Sequence, residues 1–304
     1  MKVFIAGGTG FIGSSLTKRL IGKGLHVTVL TRKIRDEELF PKGVGIVEGD
    51  SSKPGSWQEE LGDSDAVINL AGASIFQRWT KKRKRSIRES RIATTKNIAA
   101  AVALRKDKRI DLINASAVGY YGYHGDEILD ETAASGTDFL ATLARDWEAE
   151  ALRVRESGAR IVLCRFGIVL GSRGGALAKM LPLFRMGIGA RLGSGEQWFS
   201  WIHEEDLFRI LLFLLENREI QGAVNCLSPH PVQNKNLTKT LAGVLHRPLF
   251  MPPVPGFLLR IALGGFAESL IKGQRAVPKV LMDSGFTFLF PDIESALSTI
   301  ELRS

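Results

Sequence analysis

The chain has 304 residues, 44% of them hydrophobic and 24% charged, with 41 Lys and Arg against 32 Asp and Glu and a net charge of +9. That length suits about two domains, or one large domain with an appendage, and buries on the order of 75% of the unfolded surface with no need of a disulfide or structural metal. The composition excludes long disorder, collagen and coiled coil.

Over the first 170 residues, short β-branched apolar runs alternate with helical patterns. The spacing predicts strands at 3–6, 27–30, 45–47, 66–70, 110–113 and 160–163, with helices at 11–22 and 87–104 between them. Strands that are apolar on both faces and alternate with helices make a parallel sheet covered on both sides, a Rossmann-type doubly wound α/β domain over 1–170. After 171, Gly and Pro become frequent and the alternation lapses. Helices at 207–216 and 237–245 with short strands predict a smaller α+β lobe, 171–304, over the strand ends, with some later segments returning to the first domain.

The first strand runs directly into Gly7-Gly8-Thr9-Gly10-Phe11-Ile12-Gly13, which opens the first helix. Glycines at this spacing permit a tight turn, let backbone N–H groups approach a pyrophosphate and bring helix against strand, so Gly7, Thr9, Gly10, Phe11 and Ile12 are expected at a dinucleotide. The second strand ends in Thr31-Arg32-Lys33, where NAD sites carry Asp or Glu. A guanidinium there binds a ribose 2′-phosphate as a fork, which predicts NADP(H); the alternative is that Arg32 and Lys33 are solvated loop charges. Asp50, ending the third strand, is placed to reach the adenine, and Leu70, Ala71 and Gly72, ending the fourth, to pass the ribose and phosphates. Both sets also read as turn formers.

Further along, Lys81 to Arg85 form an unbroken basic run. Without interleaved aromatic residues it reads as a solvated helix face, with a polyanion patch as the alternative, so nucleic acid is not an expected partner. Cys164 and Cys226 each lie in an apolar stretch and read as buried thiols of a reducing, cytoplasmic compartment. The five histidines are scattered without ligand spacing, so no metal site is expected. His203 either meets a substrate or caps the helix that contains Asp206. No apolar run reaches the ~20 residues a bilayer needs: 254–271 is broken by Arg260 and Glu268. No membrane partner is expected.

The loop at 7–13, with Asn69 to Ala73 and Ser116 to Gly122, resembles the extended, sugar-nucleotide epimerase-like form of the short-chain dehydrogenase/reductase superfamily. Ser90-Arg91, Asp146-Trp147-Glu148, Arg165 to Gly171, Leu192 to Gly195 and Trp201-Ile202-His203 are similar to its atypical 39U epimerase subfamily. The stretch from Arg247 to Phe286 resembles that subfamily's terminal domain of unknown function. The resemblance implies an NADP-binding fold, with Arg91 facing the cofactor phosphates and Phe166, Gly167 and Ile168 beside the nicotinamide. It also implies a Tyr-x-x-x-Lys pair. The residues four beyond Tyr120, Tyr121 and Tyr123 are His124, Gly125 and Glu127, so the pair is missing. Thr142 with Asp146, or Arg145, are the substitutes that helix offers. What survives for catalysis is Ser116, holding a substrate oxygen, and Tyr121, donating to it; their alternatives are a strand-end cap and a packing residue.

These residues predict an oxidoreductase or epimerase acting on a hydroxyl or carbonyl of an unidentified small molecule. The alternative is a catalytically silent NADP-binding redox sensor. Like charges at 81–91 would meet across the helix pairing that related epimerases use, so a monomer is favoured over a dimer.

Overall fold

The apolar runs of the first half all enter one sheet. Its strands are β1 (Lys2–Ala6), β2 (His26–Thr31), β3 (Gly45–Glu48), β4 (Ala66–Asn69), β5 (Asp111–Ala117), β6 (Arg160–Phe166) and β7 (Gly222–Cys226). The computed structural model, which describes residues 1–34, 40–105 and 109–301, orders them β7-β6-β5-β4-β1-β2-β3 with every neighbouring pair parallel. All four residues of β4 are buried, as a strand covered on both faces requires.

Helices α1 (Phe11–Gly22) and α6 (Glu204–Glu216) cover one face, setting Leu16, Leu20, Leu207, Ile210, Leu211 and Leu214 against Val3, Ile5, Ile68 and Val162. On the other face α2 (Trp57–Leu61), α3 (Lys81–Ala103) and α4 (Phe139–Leu152) set Trp57, Leu61, Ile98, Val102 and Ala151 against Phe4, Val67, Leu112 and Leu163. The helix α3 begins six residues before its apolar periodicity, because Thr80 Oγ1 accepts from Arg83 N at 3.1 Å and fixes the start. The basic run is therefore the opening of this helix.

Residues beyond 171 divide between two cores. Both α6 and β7 belong to the central sheet, whereas α5 (Leu177–Arg185) and α7 (Asn234–Val244) pack Leu177, Leu181, Leu237 and Leu241 around Trp201 and the terminal helix Ile293–Glu301. The helix α6 starts at His203, whose Nδ1 accepts from Glu205 N at 3.1 Å. One turn in, the wholly buried Asp206 accepts from Leu289 N at 2.9 Å, Phe290 N at 2.8 Å and Arg209 Nη1 at 3.0 Å, and so ties the C-terminal segment to the sheet.

Asp206→Ala should lower the unfolding free energy in urea by about 2–4 kcal/mol, because two part-buried amides lose the charged acceptor that ties them to α6. Arg209→Ala, which removes only the half-exposed partner, should cost under about 1 kcal/mol.

Candidate active site

The strand order reverses between β1 and β4, and at such a point the turns leaving the two carboxyl ends diverge and open a crevice. Gly7 has φ of 84°, and a Cβ there would lie 2.8 Å from Ala71 N, so the two turns touch. A Cβ at Gly13 would overlap the Gly7 carbonyl oxygen, so only glycine lets α1 come this close to β1. Gly10 caps α1 with no side-chain acceptor, and Thr9 and Gly10 are exposed. The first amides of α1 are thus left for an anion. Ile12 is half-buried against the core below. Phe11 departs from its expected role in one respect. Its ring fills the space over Gly171 and Gly174, so the side chain docks the lobe's first hairpin onto the loop.

The opposite wall is held by a buried polar hub. Asn69 Nδ2 donates to Asn114 Oδ1 at 2.7 Å and to Thr95 Oγ1 at 2.9 Å, and Trp147 Nε1 donates to Thr95 Oγ1 at 2.7 Å. With its other end, Asn69 Oδ1 accepts from Ala71 N at 3.2 Å, which shapes the Leu70-Ala71-Gly72 turn. Ser90 Oγ accepts from Ala73 N at 3.0 Å, and Arg91 Nη1 donates to Ala73 O at 3.0 Å and to Ile87 O at 3.2 Å.

Arg91 carries the distinctive electrostatics of this wall. Its guanidinium lies over the Trp147 ring, 5.2 Å from the centroid, and a Cβ at Gly72 would come within 3.0 Å of its Cζ. Among the described residues it forms no ion pair. Burial, with the Arg83 charge nearby, pulls its pKa down to about 10. The group remains a cation at neutral pH, poorly solvated and without a counter-ion.

At the outer end of the crevice Thr31 is buried and its Oγ1 donates to Lys33 O at 3.1 Å, while Arg32 and Lys33 are exposed. Asp50 Oδ1 accepts from Ser52 Oγ at 2.7 Å and Ser52 N at 3.0 Å, a turn-forming arrangement. The Ser52 hydroxyl, helped by its amide and by the charges of Lys53 and Arg32, holds the Asp50 carboxyl below the usual range.

A second polar cluster lies at the carboxyl ends of β5, β6 and β7, and it holds both Ser116 and Tyr121. Ser116 is buried and its hydroxyl donates to Glu148 Oε1 at 2.6 Å, beneath α4. Arg165, paired with Ser116 across the sheet, forks onto Glu148 with Nε–Oε1 and Nη2–Oε2 both at 2.9 Å. Its Nη1 donates to the Tyr121 oxygen at 3.0 Å, and the Tyr121 hydroxyl donates to Asn225 Oδ1 at 2.7 Å. Glu131 Oε1 closes the network by accepting from Asn225 N at 3.0 Å and Val280 N at 3.3 Å. Both side chains are buried, and each hydroxyl donates its proton to a partner inside the protein. Burial, only partly offset by the Arg165 charge, pushes the Tyr121 pKa up to about 12. Burial also opposes the Arg165 charge, but the bound carboxylate more than offsets it and holds the guanidinium's proton above its ordinary value.

The substitutes on α4 are engaged elsewhere. Asp146 Oδ2 accepts from Arg88 Nη1 at 2.7 Å, Thr142 Oγ1 reaches back to Thr137 O, and Arg145 is exposed. Past β6, the turn Phe166-Gly167-Ile168 is fixed by Gly167 N to Cys226 O at 3.1 Å and Ile168 N to Ser200 O at 2.8 Å. A Cβ at Gly167 would meet the Leu227 side chain and the Ser200 carbonyl at 3.0 Å. Sequence reasoning assigned no role to Ser90, Glu148, Arg165 or Asn225. The available signal was a charged residue closing an otherwise apolar strand, which demands a buried partner.

Residues 3–226 match the model of the NAD dependent epimerase/dehydratase family, and residues 254–300 match that of a domain of unknown function, DUF1731. The chain is 42% identical over 301 residues to the epimerase family protein YfhF of Bacillus subtilis, covering 99% of this chain and 98% of that one. It is 39% identical to the chloroplastic SDR39U1 homolog of Arabidopsis thaliana, covering 99% and 86%. A crystal structure of human epimerase family protein SDR39U1 (isoform 2) with NADPH superposes with a TM-score of 0.88 at 32% identity, over 100% of both chains.

In an alkaline titration followed by tyrosinate absorbance, Tyr121 should ionise near pH 12, and Tyr121→Phe should remove that step. Its folded pKa lies above the unfolded value of about 10, so its contribution to stability is complete below that pH and is lost as pH rises toward about 12. Ionisation of Tyr121 below pH 10 would show the phenol to be open to solvent.

Proposed function

The chain belongs to the NAD dependent epimerase/dehydratase family, and we propose that it binds NADP(H) in the β1/β4 crevice to oxidise, reduce or epimerise a hydroxyl or carbonyl of a small molecule. The observation that carries this reading is Arg91, a desolvated guanidinium with no acid partner among the described residues, set against Gly72 across from the uncapped start of α1. A cation left in that state costs stability until an anion arrives, and a pyrophosphate is the anion the glycine cradle accommodates. Gly7, Thr9, Gly10 and the amides of Phe11 and Ile12 would take the pyrophosphate with Arg91. Leu70, Ala71 and Gly72 would pass the ribose, Asp50 would face the adenine edge, and Thr31 and Arg32 would meet the 2′-phosphate. The turn at Phe166, Gly167 and Ile168 would flank the nicotinamide, which when bound supplies hydride exchange. In this reading 1–170, together with the returning segments α6 and β7, is the cofactor unit and the rest of 171–304 the substrate lobe, in a monomer of the cytoplasm, where Cys164 and Cys226 stay reduced.

One specific observation favours a second reading, a silent NADP-binding sensor. The Ser116 and Tyr121 hydroxyls are both occupied by structural partners, and no Tyr-x-x-x-Lys exists to replace them. Transfer of deuterium from labelled NADPH to any member of a carbonyl panel would decide for the enzyme.

Titration of nicotinamide fluorescence should show NADPH binding more tightly than NADH. Arg32→Asp should weaken NADPH alone by about tenfold or more, since the 2′-phosphate loses a charge-assisted bond. Arg91→Met should weaken both cofactors by a similar factor, because the pyrophosphate is common to them. Binding of neither cofactor by the unaltered protein would overturn both readings.

A further inference from the structure

Helix α8 (Gly256–Leu263) reads Gly-Phe-Leu-Leu-Arg-Ile-Ala-Leu and buries none of its residues. Phe257 and Ile261, one turn apart, are 60% and 66% exposed, and in the wholly exposed stretch 246–253 before them Phe250 is 69% exposed. The helix is nevertheless tied at both ends. Val254 N donates to Arg191 O at 2.8 Å just before it, and Trp79 N donates to Leu263 O at 3.1 Å at its last residue. An outward apolar face held this firmly is a surface that something covers.

The charge beside it says what. Trp79, bonded to the end of α8, stands just before the basic opening of α3, and Lys84 lies over the Trp79 ring at 5.7 Å and against Gly265. Arg78, Lys81 and Lys82 are exposed and form no ion pair among the described residues; nearby Arg85 and Arg260 are neutralised by Glu89 and Glu268. The first turn of α3 contains no acidic residue. Lysines at a helix N-terminus oppose its dipole, so the run does not serve the helix that carries it. A second copy of the chain docked on this face would bring the same lysines together, and nucleic acid would leave the Phe and Ile side chains without a partner.

We propose that the outward face of α8, the exposed loop before it and the basic start of α3 together dock on an anionic lipid surface. Phe250, Phe257 and Ile261 enter the headgroup boundary, and Arg78, Lys81 and Lys82 meet lipid phosphates. Among the described residues no helix is long and apolar enough to cross a membrane. The attachment is peripheral, and it revises the expectation of no membrane partner, which rested on the lack of a span.

The test is sedimentation of the full chain with vesicles of phosphatidylcholine alone or mixed with phosphatidylglycerol, with duplex DNA binding measured in parallel. Capture by the anionic vesicles only, weakening as salt is raised, is expected. Phe257→Asp with Ile261→Asp should abolish capture, and Lys81→Gln with Lys82→Gln should weaken it roughly fivefold per charge. All four positions are exposed, so both variants should keep the unaltered thermal midpoint and NADPH titration. No capture by anionic vesicles overturns the proposal. So does capture that survives the two aspartates, which marks a charge-only contact. DNA binding lost with the lysine change but not with the aspartate change, in a protein that ignores vesicles, assigns the patch to nucleic acid instead.

Discussion

The carboxyl edge of the sheet depends on one buried ion pair, Arg165 with Glu148. Parallel strands that end together bring their last polar groups into a region shut off from water on both faces, where each must find a partner within the protein. The guanidinium forks onto a carboxylate from α4, and its remaining donor reaches the Tyr121 oxygen. From there the bonds run through Asn225 of β7 to Glu131 and the backbone of Val277 and Val280. Removing either charge would strand the other in a low dielectric, a change usually costing about 3–5 kcal/mol. The pair thereby fixes α4 against β5 and β6, and it absorbs the hydroxyls that the reductase resemblance would assign to chemistry.

Two arginines that meet successive residues of α4, Trp147 and Glu148, are treated in opposite ways. Arg165 is neutralised by a bidentate carboxylate, and its proton is held more firmly than in water. Among the described residues Arg91 meets backbone carbonyls and an aromatic face, and its pKa falls. Carbonyl oxygens satisfy N–H donors without cancelling the charge, so the field of Arg91 still reaches the crevice between β1 and β4. The contrast separates a residue whose charge is cancelled within the fold from one whose charge is not. Neither could be told from the other by residue type.

The parts of this arrangement that depend on local pattern were legible in the sequence. The first six strands lie where their apolar runs stand, the glycine loop occupies the strand-to-helix turn, and α1 spans its predicted residues. What escaped was set by contacts distant in sequence. The fifth strand continues through Asn114 and Ser116, polar residues that look like a loop until Asn69 and Glu148 reach them from other elements. β7 was hidden because its crossover from β6 passes through the lobe, so no simple strand-helix-strand rhythm announces it. The start of α3 was set by the Thr80 cap, and the burial of Tyr121 by Arg165 and Asn225, which lie 44 and 104 residues away in sequence.

The two matched segments, 3–226 and 254–300, are one structural unit although they match separate family models. The later segment supplies what the earlier one leaves unsatisfied. Leu289 and Phe290 amides fill the Asp206 carboxylate, Val280 N meets Glu131, and Val277 O receives the Asn225 amide. Gln274 O accepts from Ser200, and Leu263 O from Trp79. Each earlier member of these bonds except Trp79 is a buried or half-buried polar side chain that would otherwise carry a desolvation cost. The same segment that closes these bonds also turns the apolar face of α8 outward. A stretch whose inner side is so fully used by the fold has only its outer side left for a partner, and that side is where Phe257 and Ile261 stand.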